Sequence, residues 1–126
     1  MLFPDESFKI MACCFEVHNE KGTGFLEPVY QECLEIEFSH QNVQFEAHLP
    51  IAIEYRHRKL KQSFIPDFIC YGKILLEIKA VEHLAPAHEA QVINYLKASG
   101  LTLGIVINFG AYPKLEYKRM ALSRMV

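Results

Sequence analysis

The segment IPDFICYGKILLEIKA, residues 65–80, limits what this chain can fold into more than any other stretch. It is apolar and rich in β-branched residues on both sides of Tyr71-Gly72-Lys73, the pattern of two strands joined by a tight turn. Strands are expected over 60–71 and 73–80. Side chains alternate along a strand, so Glu77 and Lys79 share one face, while Leu76 and Ile78 share the other and can anchor the strand on a helix. A turn centred near residue 72 also sets a register that puts Asp67 directly across from Glu77. Like charges opposed across a ladder destabilise it, unless a cation lies between them. Mg2+ is a hard ion that prefers oxygen. It suits these two carboxylates, the Ile78 backbone carbonyl, waters and a phosphate oxygen. Lys79 beside such an ion has two roles open to it. It can align or deprotonate an attacking water, or neutralise charge developing on phosphorus. A lone Glu-x-Lys is also what an ordinary surface pair looks like. Its place inside LLEIKA and its pairing with Asp67 favour a site.

The rest of the chain supplies helices to cover such a sheet. Residues 6–19 keep a helical period through Phe8, Met11, Cys14 or Phe15, and Val17 or His18. EKGTG then breaks the pattern, with Gly22 and Gly24 giving backbone freedom. A second helix is expected from Leu26 to Gln41, with adjacent apolar rows Val29-Cys33-Ile36 and Tyr30-Leu34-Phe38. Residues 43–55 read as a strand with Ile51, Ile53 and Tyr55 on one side, followed by a polar turn, RHRK, at 56–59. A helix from Pro86 to Ser99 stops at Gly100. A buried strand at 101–109 and a weaker edge strand at 115–122 complete the order α-α-β-β-β-α-β-β. An α/β fold of α+β-like character, with a mixed sheet flanked by helices, satisfies it. The 126 residues fit one domain, 1–126, with one modest core.

Two helical positions join the strand residues as site candidates. Glu27 lies in the first turn of the second helix, three and seven residues before Tyr30 and Leu34. It is therefore expected to point toward the core side, where the helix N-terminus and a metal or lysine would stabilise its charge. Simple charge pairing with the helix end is the competing reading. On the later helix, His88, Gln91 and Tyr95 are spaced to share a face. Gln91 and Tyr95 can hold a water, a phosphate or Lys79. His88 can do the same or serve as a secondary acid. For Tyr95 a core role competes, and for His88 an ordinary exposed position does.

Charge and cysteine content narrow the setting. The formal net charge is −2, but residues 1–50 carry −7 and residues 51–126 carry +5. The basic half contains Asp67, Glu77 and Lys79, and a positive field around an acidic site suits a polyanion. No apolar run approaches a membrane span and no leader pattern follows Met1. Cys13, Cys14, Cys33 and Cys70 have neither disulfide-scaffold nor zinc spacing. Buried free thiols and a reducing cytoplasm follow.

Taken together, these residues resemble the PD-(D/E)XK nuclease superfamily. Pro66-Asp67 with Glu77-Ile78-Lys79 matches its defining pattern. Gln91-x-x-x-Tyr95 looks like the helix motif of the RecB-like branch. Gly24-Phe25-Leu26-Glu27-Pro28-Val29-Tyr30 matches the signature of the GxxExxY proteins within that superfamily. The resemblance runs from about Ile10 to Met120. It implies a restriction-endonuclease-like core and a Mg2+ site, with Mn2+ as substitute, built from Asp67, Glu77 and the Ile78 carbonyl. Glu27 matches the acid that the first core helix supplies in many members. Lys79 would be catalytic, and Gln91 and Tyr95 would support lysine or substrate. The expected activity is phosphodiester hydrolysis, on DNA and without base-sequence specificity. A homodimer would place two sites on two strands. The alternative is a nuclease fold kept as a silent binding, regulatory or structural module.

Overall fold

A computed structural model describes residues 2–122. Helix α1 spans Pro4–Lys21 and closes at Gly22, whose left-handed φ of 67° lets its N–H reach the His18 carbonyl. Helix α2 spans Glu27–His40 and starts with a proline in its first turn. Five strands follow: β1 (Phe45–Ala47), β2 (Ile51–Tyr55), β3 (Arg58–Phe64), β4 (Phe68–Cys70) and β5 (Ile74–Lys79). Helix α3 (Pro86–Ser99) begins at a proline and ends at Gly100 in the left-handed region, as expected. Strands β6 (Leu103–Asn108) and β7 (Glu116–Ala121) finish the chain, with β7 at an edge.

The main sheet has the order β1-β4-β5-β6-β7, with β5 and β6 parallel and the other pairs antiparallel. β2 and β3 form a separate two-stranded sheet. The expected strands 43–55 and 60–71 are therefore each cut in two. Pro50 cuts one and Pro66 the other, because a proline has no N–H to donate to the ladder. Register shows that the two halves belong together. Ala47 faces Phe68 in the inner pair and Ile51 faces Phe64 in the outer one, a count that stays unbroken across the two prolines and shifts only further out, between Ala52 and Glu54. One long hairpin is bent where its two prolines come level, and its outer half leaves the sheet.

The sheet is covered on both faces. Ile74, Leu76, Ile78, Ile105 and Ile107 point one way and pack with Ile10, Cys14, Tyr30, Leu34 and Phe38 of α1 and α2. Leu75 and Val106 point the other way, onto Val92 and Leu96 of α3 and onto Phe64. Each fully buried large apolar side chain contributes about 1.5–3 kcal/mol. α3 lies close because β6 carries Gly104, where a Cβ would meet Val92 Cγ1 at 2.5 Å. The helix faces differ from expectation in phase. On α1 the buried row is Ile10, Cys14 and Val17, while Phe8 and Phe15 are exposed. On α2 the Tyr30-Leu34-Phe38 row is the apolar row that is buried, with Gln31 beside it, and Val29 and Ile36 face outward. Both helices are apolar over a wider arc than they bury, so contact with the sheet selects the row. Among the described residues no helix is long and apolar enough to cross a membrane.

Candidate active site

The β4–β5 turn fixes the site's floor. Cys70 faces Ile74, Ile69 faces Leu75 and Phe68 faces Leu76, the register expected from the turn. The ladder stops there, and Asp67 is the next residue out, across from Glu77. With no strand beside it, the Ile78 N–H donates to Asp67 Oδ2 at 2.8 Å. The N–H and C=O of a strand residue point toward the same edge, so the Ile78 carbonyl opens on this side too. Asp67 also lies at the bend of the long hairpin, level with His48. The His48 N–H donates to the Asp67 carbonyl at 3.3 Å, and His48 Nε2 stands 3.9 Å from Asp67 Oδ1.

Glu77 is buried, at 5% exposure, and its Oε1 has no hydrogen-bond partner among the described residues. Burial first, then the neighbouring Asp67 charge and its side-chain hydrogen bond, push the Glu77 carboxyl up to about 9, against the pull of Lys79. An acid so placed holds its proton at neutral pH until a cation arrives. Lys79 shares the Glu77 face of β5, and its Nζ donates to Gln91 Oε1 at 3.0 Å. Gln91 Nε2 donates in turn to the Tyr95 hydroxyl at 3.1 Å. Tyr95 stacks on Phe64 with ring centroids 4.1 Å apart. Burial, and then the Glu77 and Asp67 charges, raise the Tyr95 hydroxyl above its ordinary value.

A cleft of about 790 Å3 opens over Asp67 and Ile78, lined also by Glu27, Gln31, Glu32, Glu35 and His48. Four of these side chains are carboxylates, so the cleft favours a cation and repels a bare polyanion. Residues 4–120 match the family model described as the PD-(D/E)XK nuclease superfamily. The chain belongs to that superfamily. The crystal structure of SSO0001 is similar in fold, with a TM-score of 0.60 at 18% identity over 78% of this chain. The match covers 52% of that protein, so this chain spans about half its length. No curated protein matches the chain.

PD-(D/E)XK nucleases generally use divalent metals. Among the described residues no three His, Cys, Asp or Glu side chains gather as a ligand set. The donor chemistry nevertheless fits a magnesium-like ion, which often takes only one or two carboxylates and completes its shell with water and phosphate oxygens. The orphaned Glu77 oxygen, the apposed Asp67 and the Ile78 carbonyl are the donors on offer.

The remaining candidates fall on either side of this centre. Glu27 lines the same cleft but is exposed, which corrects its expected core-side position. The buried row of α2 begins one turn later at Tyr30, so Glu27 overhangs the cleft edge. Tyr30 accounts for the other end of that signature. Its hydroxyl donates to the Gly22 carbonyl at 2.6 Å and accepts from the Phe25 N–H at 3.4 Å, while its ring stacks on Phe109 at 4.8 Å. It thereby holds the loop that delivers Glu27. His88 shares the α3 spacing of Gln91 and Tyr95 but stands outside the hydrogen-bond chain that joins them to Lys79. Its Nδ1 accepts from the Ala85 N–H at 2.9 Å and caps α3.

Three residues escaped the sequence reading. His48 was legible in principle, because extending the long hairpin's register past Pro50 and Pro66 brings it to Asp67. Gln31, buried one turn after Glu27, donates to the Asp67 carbonyl at 3.3 Å and leaves its Oε1 unpartnered among the described residues. Asn108 faces Lys79 across β5–β6, accepts from the N–H groups of Val81 and Gly110 and donates to Glu116. It pins the loop between Lys79 and α3. No local pattern marks Gln31 or Asn108.

Proposed function

We propose that this protein is a metal-dependent nuclease that hydrolyses phosphodiester bonds in DNA without reading base sequence. It acts with Mg2+, or with Mn2+ in its place, in the cytoplasm, and it stands in the RecB-like branch among the GxxExxY proteins. The observation that carries the proposal is the Asp67–Glu77 pair, with a buried carboxylate oxygen that has no partner among the described residues, beside a lysine held by Gln91.

When bound, the metal polarises the scissile phosphate and lowers the pKa of a bound water. The chain's own residues do the rest. Asp67 and Glu77 stand as neighbouring carboxylates across the end of the β4–β5 ladder, and the Ile78 N–H fixes the Asp67 rotamer. Gln91 and Tyr95 keep Lys79 extended beside the pair, where its ammonium offsets negative charge gathering on the phosphoryl oxygens. Glu27 stands at the cleft mouth, within reach of a water or ion entering with the substrate. Contacts from lysine and arginine to phosphates position a nucleic acid but carry no base information, in keeping with cutting without sequence preference. One chain offers one such site, so a homodimer on a duplex is the form that cuts both strands.

Purified protein with Mg2+ or Mn2+ is expected to degrade plasmid and linear DNA, and Lys79→Ala to lose at least 100-fold in rate while still binding. Failure of the wild type on single-stranded, duplex and branched DNA with either metal would refute the proposal. So would wild-type cleavage by Lys79→Ala.

A further inference from the structure

The acidic cleft raises a question that the nuclease reading leaves open, namely where the countercharge for a bound polyanion sits. We propose that the β2–β3 hairpin is an arm that lies along a groove of duplex DNA and holds it for the site; this rests on the nuclease function proposed above. The hairpin exposes Arg56, Arg58, Lys59 and Lys61, and all of β3 except Phe64 is exposed. Glu54, across from Lys59, is the hairpin's one acid. None of the four cations makes an ion pair or hydrogen bond among the described residues, so their charge is free to meet phosphates. Tyr55 is 68% exposed beside them, facing Arg58 in the ladder.

The hairpin is also mechanically continuous with the site. Its arms extend outward the strands that end at Ala47 and Phe68, in the same register as far as Ala52 and Ser63, beyond which a bulge shifts the pairing to Glu54 with Lys59. At its base Phe64 stacks on Tyr95, the last member of the chain Lys79–Gln91–Tyr95. At its tip Arg56 and His57 both take left-handed φ angles, 51° and 63°, as a two-residue turn between twisted strands requires. At about 3.3 Å per residue, the eight residues from Arg58 to Ile65 give the tip a reach of at most roughly 25 Å from Asp67. That is about seven base pairs of B-form DNA at roughly 3.4 Å each.

Duplex DNA is the occupant these dimensions favour. The B-form major groove, about 12 Å wide, admits a two-stranded ribbon, whereas the deep, narrow major groove of A-form RNA does not. Four phosphate contacts would add about 3–4 to the slope of log affinity against log salt.

The test compares Lys79→Ala protein with Lys79→Ala carrying Arg56→Gln, Arg58→Gln, Lys59→Gln and Lys61→Gln. Both are titrated with a 30-base-pair DNA duplex in Mg2+ from 50 to 200 mM salt. The hairpin variant is expected to bind at least tenfold more weakly at 50 mM salt, with the slope reduced by about 3. A variant exchanging arginine for lysine and lysine for arginine at the four positions keeps the charge, and it should keep the slope. It also shows whether a loss reflects charge or a damaged fold. An unchanged slope in the Gln variant, or loss of the slope in the charge-preserving one, would overturn the arm. An equal slope reduction on duplex RNA would overturn the assignment to DNA. Wild-type cleavage run alongside separates the two proposals: a wild type that cuts DNA while the slope is unchanged refutes the arm alone, and one that cuts nothing refutes both.

Discussion

Replacing Glu77 with glutamine keeps the shape of the side chain and removes the group whose ionisation the fold opposes. The Glu77 carboxyl is buried and pushed up to about 9, chiefly by burial and then by the Asp67 charge, from an ordinary value of 4.5. The folded, metal-free protein therefore keeps a proton that the unfolded chain releases once the pH passes 4.5. Stability must fall as pH rises through this window, and the decline ends only as pH passes the folded-state value near 9. Between pH 4.5 and 7 the loss is about 3 kcal/mol at ~1.4 kcal/mol per pH unit. Glu77→Gln escapes it, and its amide can donate to Asp67. The variant should match the wild type near pH 4.5 and exceed it by about 3 kcal/mol at pH 7, roughly 10 °C in Tm for a chain of this size. The measurement is urea denaturation in EDTA at several pH values. Mg2+ should then stabilise the wild type, by neutralising the carboxylate pair, and leave Glu77→Gln nearly unmoved. A gap that does not change with pH, or a wild type more stable than the variant at pH 7 in EDTA, would refute the reasoning.

Other substitutions probe the scaffold. Tyr30→Phe removes the 2.6 Å bond to the Gly22 carbonyl and should cost about 1 kcal/mol, read from the urea midpoint. A variant as stable as the wild type would mean that this bond does not hold the loop. Asn108→Leu strands the Val81 and Gly110 N–H groups beside Lys79. It should cost about 2–4 kcal/mol and lower cleavage as well, whereas an effect under 1 kcal/mol would exclude the pinning role. Burial holds Cys13 at about 11, Cys70 at about 12 and Cys14 well above the ordinary thiol value, while Cys33 is only partly buried. Mass-mapped alkylation at pH 8 should label Cys33 first and the other three only on unfolding; early labelling of Cys14 or Cys70 would contradict this core.

Short-range chemistry carried a large share of this structure. The turn at Tyr71-Gly72-Lys73 alone set the β4–β5 register and put Asp67 opposite Glu77, because a tight turn leaves its strands no freedom to slip. Proline and glycine punctuation placed both ends of α3. The Asp, Glu-x-Lys and Gln-x-x-x-Tyr spacings were legible for the same reason, since each pair lies on one element or across one turn. Other features needed the assembled molecule. The two prolines were visible, but that they come level and bend one hairpin depends on pairing between arms many residues apart. That bend brings His48 to Asp67 and frees a basic arm from the sheet. Which arc of α1 and α2 turns inward was settled by contact with the sheet, since their apolar rows permitted more than one phase. Glu27 and His88 moved for related reasons: one overhangs the end of a buried row, and the other is taken by the backbone of its own helix. Local spacing determines which side chains can meet, because the 3.6- and 2-residue periods act within an element. Which of them share a buried environment, and so which carboxyl keeps its proton, is decided by packing between elements, because desolvation exists only once the sheet is covered.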